Sequence, residues 1–161
     1  MQRPPVEPTE LLRWLADRAE ITELISAYAH TVDSRDWAAW QNLFTMDAYF
    51  EGRFEHLDKS ELAGALESLF RDYPVTVHNM SSLAITIDGD TAHTRFYLYA
   101  IHLRREDEPF KHADVGGWYE CDVRRTPDGW KFCGKQLLIK WAAGESLVLN
   151  EPNIRPESLS S

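Results

Sequence analysis

The sequence has few cysteines and few basic residues. Only Cys121 and Cys133 occur among 161 residues, and their spacing matches neither a metal-binding knuckle nor a disulfide framework. We interpret both as buried thiols. The 17 basic residues are outnumbered by 26 acidic ones, for a formal net charge of −9. This balance argues against nucleic acid and anionic membranes as partners, because binding to either depends on clustered Lys and Arg.

Long apolar runs are also missing. No stretch approaches the roughly 20 apolar residues that a membrane-spanning helix requires. The segment MQRPPVEPTE at the start has neither the apolar core nor the cleavage site of a secretory signal, so we expect a cytoplasmic location. A chain of 161 residues has the size of one domain. We predict a single domain over residues 1–161, with a core from about 9 to 142 and a tail from 143 to 161.

Helical spacing of apolar residues recurs in the first half of the chain. A first helix is predicted from Thr9 to His30, with Thr9 as its N-cap. Asp36 is expected to cap a second, short helix with one aromatic face, formed by Trp37, Trp40, Leu43 and Phe44. An extended segment should follow from Ala48 to Phe54. A third helix, capped by Asp58 or Ser60, should then reach Phe70.

From residue 75 onward the apolar period changes to two, which is typical of strands. Asp-Gly turn signals separate the strands into an antiparallel meander. The predicted strands are Val75–Ile87, Thr91–Leu103, Asp114–Thr126 and Trp130–Trp141. Three helices followed by long strands indicate an α+β fold, in which the helices cover one face of a strongly curved, mainly antiparallel sheet.

An acid and two imidazoles are expected to share the interior of this fold. Asp36 suits the capping position better than Asp33, which leaves Asp33 free to point inward, where a carboxylate needs a partner. His78 and His102 lie among apolar neighbours of two strands. Such a set suits proton transfer without a cofactor, because His titrates near neutral pH and a carboxylate can orient its ring. The non-catalytic alternatives are a capping role for Asp33 and structural roles for both histidines.

Alternation along the first long strand groups His78 with Met80, Ser82, Ala84 and Thr86 on one face. It does not decide which face looks inward. Large aromatic rings mostly serve the core or subunit contacts, and we expect some of them to line a pocket. The candidate substrate-binding residues from this reasoning are Trp37, Trp40, Phe44, Phe50, Met80, Phe96 and Trp118.

Four short runs resemble the SnoaL-like, scytalone dehydratase-like branch of the cystatin-like (nuclear transport factor 2-like) α+β superfamily. They are VDSRDW, VHN, DGWKFCG and IKW, within a likeness that extends from about residue 11 to 141. The resemblance implies a cone-shaped fold with an internal pocket. It also implies functional roles for Asp33, His78 and His102.

The resemblance adds two further candidates. Members with an Asp-His pair carry Tyr or Lys five residues before the Asp, where this chain has Tyr28. A related dehydratase has Arg at the place of Lys140, which implies contact with a substrate oxygen. Departures at Val32, Trp118 and Glu120, where scytalone dehydratases have Tyr, Ser and Asn, imply a different substrate.

These observations lead to one main hypothesis, a cofactor-independent and metal-independent lyase. It would be a dehydratase or related cyclase acting on a small, apolar, oxygenated metabolite such as a polyketide or polycyclic compound. His78 is the predicted general base, Asp33 orients it, and His102 and Tyr28 donate. The alternatives are an isomerase or hydrolase of the same fold, an enzyme with a two-His, one-carboxylate metal site, and a non-catalytic binding subunit.

A sheet that is covered on one face only leaves apolar surface for another subunit or for the tail. We therefore predict a homo-oligomer, and the resemblance favours a trimer over a dimer.

Overall fold

The computed structural model describes residues 2–51 and 57–145. The helices α1 (Pro8–Ser34), α2 (Trp37–Asn42) and α3 (Lys59–Phe70) pack on one face of a curved, open sheet. The end of the predicted extended segment, from 52 to 54, and the tail from 146 lie outside the described residues. Within the described ranges, no helix combines the length and apolarity needed to cross a membrane.

The helix caps were predicted in part. Asp36 caps α2 by accepting a hydrogen bond from the backbone N of Ala39 at 2.9 Å, as expected. Asp58 caps α3 in a capping box with Glu61. The N-cap of α1 is Glu7, so the prediction of Thr9 is wrong. The cause is the proline at position 8, whose fixed φ and missing N–H favour the first turn of a helix.

Five strands form the sheet: β1 (Phe44–Glu51), β2 (Val75–Asp88), β3 (Thr91–Leu103), β4 (His112–Thr126) and β5 (Gly129–Gly144). Their order is β1-β5-β4-β3-β2. The pairs from β2 to β5 are antiparallel, and β1 runs parallel to β5. The α+β fold predicted from the sequence is confirmed. Phe44, predicted in the second helix, instead begins β1.

A buried carboxylate fastens α1 to the β4–β5 hairpin. Asp17 is 5% exposed. It accepts a hydrogen bond from Trp130 Nε1 at 3.2 Å and pairs with Arg125 Nη2 at 2.7 Å. Because a buried carboxylate is stable only with such partners, this contact fixes how the long helix crosses the sheet.

A β-bulge in β2 changes which residues face inward. The register with β3 shifts between Ser81 and Ala84, and Ser82 has a φ of 53°. An inserted residue reverses the alternation of faces. Beyond the bulge Ile85 is therefore buried while Ala84 is exposed. The prediction that one face runs from His78 through to Thr86 is wrong.

A second bulge lies in β5 at Cys133. Phe132 pairs with Val123 and Gly134 pairs with Asp122, so Cys133 has no opposite residue on β4. Strict alternation from buried Phe132 would turn Lys135 away from the helices. The bulge turns Lys135 toward them.

Candidate active site

Asp33 and His78 meet at the junction of α1 and β2. Asp33 Oδ1 lies 2.6 Å from His78 Nδ1, and it accepts a hydrogen bond from Thr76 Oγ1 at 2.8 Å. Oδ2 accepts the backbone N–H of His78 at 2.9 Å. The side chains of His78 and Asp33 are 6% and 26% exposed. The acid that ends the first helix and the imidazole of the first long strand therefore form one partly buried, hydrogen-bonded pair.

The contacts around Asp33 favour its charged form. Partial burial acts to raise the pKa of Asp33, but the hydrogen bonds from His78 and Thr76 outweigh burial and leave this pKa below its usual value. A carboxylate can only accept hydrogen bonds, so we assign the proton of neutral His78 to Nδ1. Nε2 of His78 then carries a lone pair and can act as a base.

His102 lies beside His78 in a different environment. The ring centroids are 5.4 Å apart and the rings are nearly perpendicular, at 87°. His102 is 1% exposed and its Nδ1 lies 3.1 Å from the carbonyl oxygen of Ala113, so Nδ1 donates and Nε2 can accept. Burial, reinforced by the neighbouring His78, lowers the pKa of His102 to about 4. His102 is therefore neutral at physiological pH, which disfavours the donor role expected from the sequence.

Phe70, at the end of α3, fixes the orientation of both imidazoles. It stacks on His102, with ring centroids 5.6 Å apart and ring planes 5° apart. It also makes an edge-to-face contact with His78, with ring centroids 5.8 Å apart. The sequence placed Phe70 in the third helix but gave no signal of this role, because the contact depends on how α3 packs against β2 and β3.

A cavity of about 60 Å³ opens beside the two imidazoles. One group of polar side chains in its wall consists of His78 and His102. A second group consists of Tyr28, Tyr119, Lys135 and Glu51. The rest of the wall is apolar and is formed by Val32, Phe50, Leu66, Leu69, Phe70, Leu98, Val115, Leu137 and Ile139.

Lys135 is a cavity residue that sequence reasoning missed. Its Nζ lies 5.1 Å from the ring centroid of Tyr28 and 4.7 Å from that of Tyr119, within the range of cation–π attraction. Tyr28 is 4% exposed, and burial raises the pKa of its phenol well above 10, so the hydroxyl stays protonated. The local signal of the bulge at Cys133, which turns Lys135 inward, is Gly134, because glycine inside a strand often marks a bulge.

The predicted substrate-binding residues divide into several groups. Phe50 lines the cavity. Trp40, Phe44 and Phe96 are instead 0%, 1% and 1% exposed members of the core, and Met80 packs against the edge of that core. These four do not line the cavity, because the aromatic core fills the space between the helices and the sheet on their side.

Three other predicted residues lie elsewhere. Trp37 stacks on Phe70, with centroids 6.3 Å apart, and lines a separate open groove. Trp118 and Lys140 lie on the outer face of the sheet, the face away from the helices, where Lys140 Nζ is 4.4 Å from the Trp118 ring centroid. The expectation that Lys140 reaches the substrate is not met, since a further register shift near the end of β5 accompanies its outward position.

Across residues 2–51 and 57–145, no three His, Cys, Asp or Glu side chains are arranged to hold a metal ion. The carboxylate of Asp33 is engaged by hydrogen bonds to Thr76 and His78.

Comparison with known proteins agrees with this architecture. The sequence profile of the SnoaL-like domain matches residues 13–135. An uncharacterized protein of Mycobacterium tuberculosis is 29% identical over 125 residues, which cover 73% of this chain and 81% of that protein.

Two solved structures show the same fold at lower identity. A candidate scytalone dehydratase of Novosphingobium aromaticivorans is 20% identical, with a TM-score of 0.73 over 82% of this chain and 89% of that one. A hexachlorocyclohexane dehydrochlorinase of Novosphingobium barchaimii is 16% identical, with a TM-score of 0.71 over 84% and 94%. At these identities the likeness establishes the fold alone.

Proposed function

The chain belongs to the SnoaL-like domain family, and we propose that it is a lyase that works without a cofactor. Its reaction would be dehydration, or a related cyclisation, of a small apolar oxygenated metabolite such as a polyketide or polycyclic compound. The observation that carries the proposal is the partly buried Asp33–His78 pair beside an apolar cavity. The names of the two structural neighbours, a dehydratase and a dehydrochlorinase, support an elimination reaction.

In the proposed first step, His78 Nε2 removes a proton from the carbon next to a substrate carbonyl. The C–H electron pair moves into the carbonyl to form an enolate, and His78 becomes an imidazolium. Ionised Asp33, 2.6 Å from Nδ1, stabilises that cation and holds the ring in position. A positioned base of this kind contributes about 100- to 10,000-fold to the rate.

The second step expels the β-hydroxyl as water. The enolate electrons form the new C=C bond while the C–O bond breaks, and the leaving oxygen needs one proton. Neutral His102 has no spare acidic proton, and Tyr28 is a weak acid because burial raises its pKa. We therefore assign the proton donation to the imidazolium of His78, which returns to its starting state.

Tyr28 and Lys135 would stabilise the enolate oxygen. Tyr28 supplies a phenol that stays protonated, and Lys135 supplies a positive charge in the same part of the cavity. Fixed donors are most effective at a site from which water is excluded. His102 Nε2 would then accept a hydrogen bond from a substrate hydroxyl.

The size of the cavity limits the substrate. An apolar cavity of roughly 150 Å³ holds one benzene ring, whereas this cavity has a volume of about 60 Å³. A single ring would therefore already require side chains in the wall to move, and a polycyclic substrate would require a larger movement.

The test is a panel of cyclic β-hydroxy ketones incubated with the protein in D₂O and followed by NMR. We expect loss of water to give the conjugated enone, with deuterium at the carbon next to the carbonyl only in substrate whose enolate is reprotonated by solvent-exchanged His78. Deuterium incorporation with migration of a double bond would indicate an isomerase. Binding without loss of water and without exchange would favour the non-catalytic subunit. Iron or zinc near one equivalent, with activity lost on chelation, would favour the metal-dependent alternative.

We also propose a cytoplasmic homo-oligomer, with a trimer favoured over a dimer. The support is the outer face of the sheet, where Tyr97, Tyr99 and Trp141 are 49%, 42% and 45% exposed. Light scattering of the purified protein would give the mass, and a monomer would contradict the proposal.

A further inference from the structure

Arg35, directly after α1, has an unusual backbone conformation. Its φ of 62° and ψ of 25° lie in the left-handed region, which non-glycine residues seldom adopt. Such strain often occurs at functional sites, where surrounding contacts compensate for it. The contacts of the Arg35 side chain therefore need an explanation.

The guanidinium of Arg35 connects three parts of the chain. Nη1 donates to the carbonyl of Val32 in α1 at 2.5 Å and to Thr76 Oγ1 in β2 at 2.9 Å. Nη2 donates to the carbonyl of Tyr73, after α3, at 2.7 Å. These are the segments that place Asp33, Phe70 and His78.

The hydrogen bonds between Arg35 and His78 have a fixed direction. Arginine can only donate, so Thr76 Oγ1 accepts from Arg35 and must direct its single proton to Asp33 Oδ1, 2.8 Å away. The same oxygen lies 2.6 Å from His78 Nδ1. With Oδ1 engaged by Thr76 and Oδ2 engaged by the His78 backbone, Asp33 is held ionised and oriented toward His78 Nδ1.

Arg35 also supports the second imidazole. Its Cζ lies 5.0 Å from the ring centroid of Phe70, and Phe70 stacks on His102. One side chain thus contacts the supporting residues of both histidines without lining the cavity itself.

We propose that Arg35 and Thr76 are positioning residues that act through Asp33 to keep His78 as the Nδ1–H tautomer, with Nε2 free as the base. The catalytic meaning of this proposal rests on the proposed function. The arrangement itself is measurable without turnover, so the positioning proposal and the proposed function can fail separately.

The experiment is NMR of the imidazole nitrogens of His78 and of the carboxyl carbon of Asp33 across a pH titration. The first variant is Thr76→Val, which replaces the hydroxyl by a methyl group. The second is Arg35→Lys, which keeps the positive charge but loses the planar guanidinium with its several N–H donors. Arg18→Lys is the matched control, because Arg18 likewise donates to a backbone carbonyl, that of Ile85 in β2 at 3.0 Å, and lies over an aromatic ring.

We expect wild-type His78 to be protonated at Nδ1 when neutral. In Thr76→Val and Arg35→Lys the Nδ1–H tautomer should lose population to Nε2–H, and the pKa of Asp33 should rise by about one pH unit, since a charge-assisted hydrogen bond is lost or weakened. Arg18→Lys should leave both readouts unchanged. If both variants fold and both readouts match wild type, the proposal is wrong.

A variant that misfolds does not end the test. Glycine tolerates the left-handed conformation, so Arg35→Gly removes the guanidinium without adding backbone strain. We expect the same tautomer shift, and its reversal by free guanidinium far below denaturing concentrations. Failure of guanidinium to restore the tautomer in folded Arg35→Gly would assign Arg35 a purely structural role.

Turnover provides a separate readout. Where the elimination is observed, Thr76→Val should lower kcat about tenfold with little change in KM, as expected when a transition-state interaction is weakened. A tautomer shift without any elimination activity would leave the positioning role intact and would refute the proposed function instead.

Discussion

Replacing Lys135 by Met tests whether the cavity provides a site for negative charge. Met keeps most of the apolar length of the lysine stem but removes the ammonium group that lies near Tyr28 and Tyr119. Lys140→Met is the matched control, because Lys140 makes a similar contact with Trp118 on the outer face of the sheet.

The expected effect on stability is small. Loss of two cation–π contacts costs about 1–2 kcal/mol at roughly 0.5–1 kcal/mol each. Removing a half-buried ammonium from the cavity offsets part of that loss. The free energy of unfolding of Lys135→Met should therefore change by no more than about 1 kcal/mol.

The expected effect on binding is large and selective. A hydrogen bond to a charged group contributes about 1.5–3 kcal/mol, which corresponds to a Kd change of about 10- to 150-fold. Titration calorimetry with benzoate and benzamide gives a matched anionic and neutral pair. Lys135→Met should weaken the binding of benzoate by this factor and leave the binding of benzamide nearly unchanged. Lys140→Met should affect the binding of neither ligand. Equal benzoate affinity in wild type and Lys135→Met, or an equal loss in Lys140→Met, would refute the assignment.

Two other predictions concern stability. The pKa of His102 is about 4 in the folded protein and 6.5 for the free side chain. Between these two pH values the unfolded chain binds more protons than the folded one. The free energy of unfolding should therefore fall by about 3 kcal/mol as the pH drops through this range. Urea unfolding at pH 7 and pH 4.5 should show that loss in wild type and a smaller one in His102→Gln; equal losses would contradict the buried neutral imidazole. Phe44→Leu, in the core, should lower the free energy of unfolding by about 1–3 kcal/mol without changing ligand affinity, whereas Phe50→Leu should change affinity; the reverse pattern would contradict the placement of these rings.

The meeting of Asp33 and His78 follows from local sequence features. Asp36 is the better cap, so Asp33 remains available at the end of α1, and its carboxylate then needs a buried partner. The Asp-Gly turns fix the hairpins that bring β2 and β3 side by side. His78 and His102 consequently lie on neighbouring strands, but the alternation of residues did not decide that they face the helices.

The parts that could not be predicted depend on irregular backbone and on packing. The bulges at Ser82 and Cys133 reverse the alternation of their strands. Gly134 is a typical sign of the bulge at Cys133, whereas no residue type in β2 signals the bulge at Ser82. These reversals are why Ala84 was expected to share a face with His78 and why Lys135 was missed in favour of Lys140. The role of Arg35 depends on contacts with three separate segments, which single-sequence periodicity does not reveal.

The central claim is that Asp33 and His78 together perform proton transfer inside the cavity. Its most direct test is the rate of water loss from a turned-over β-hydroxy ketone, measured for wild type, His78→Ala and Asp33→Asn, with circular dichroism to verify folding. We expect His78→Ala to abolish water loss and Asp33→Asn to slow it by about 1,000- to 10,000-fold, as for a carboxylate that fixes a histidine tautomer. Water loss at most of the wild-type rate in either folded variant would contradict the account.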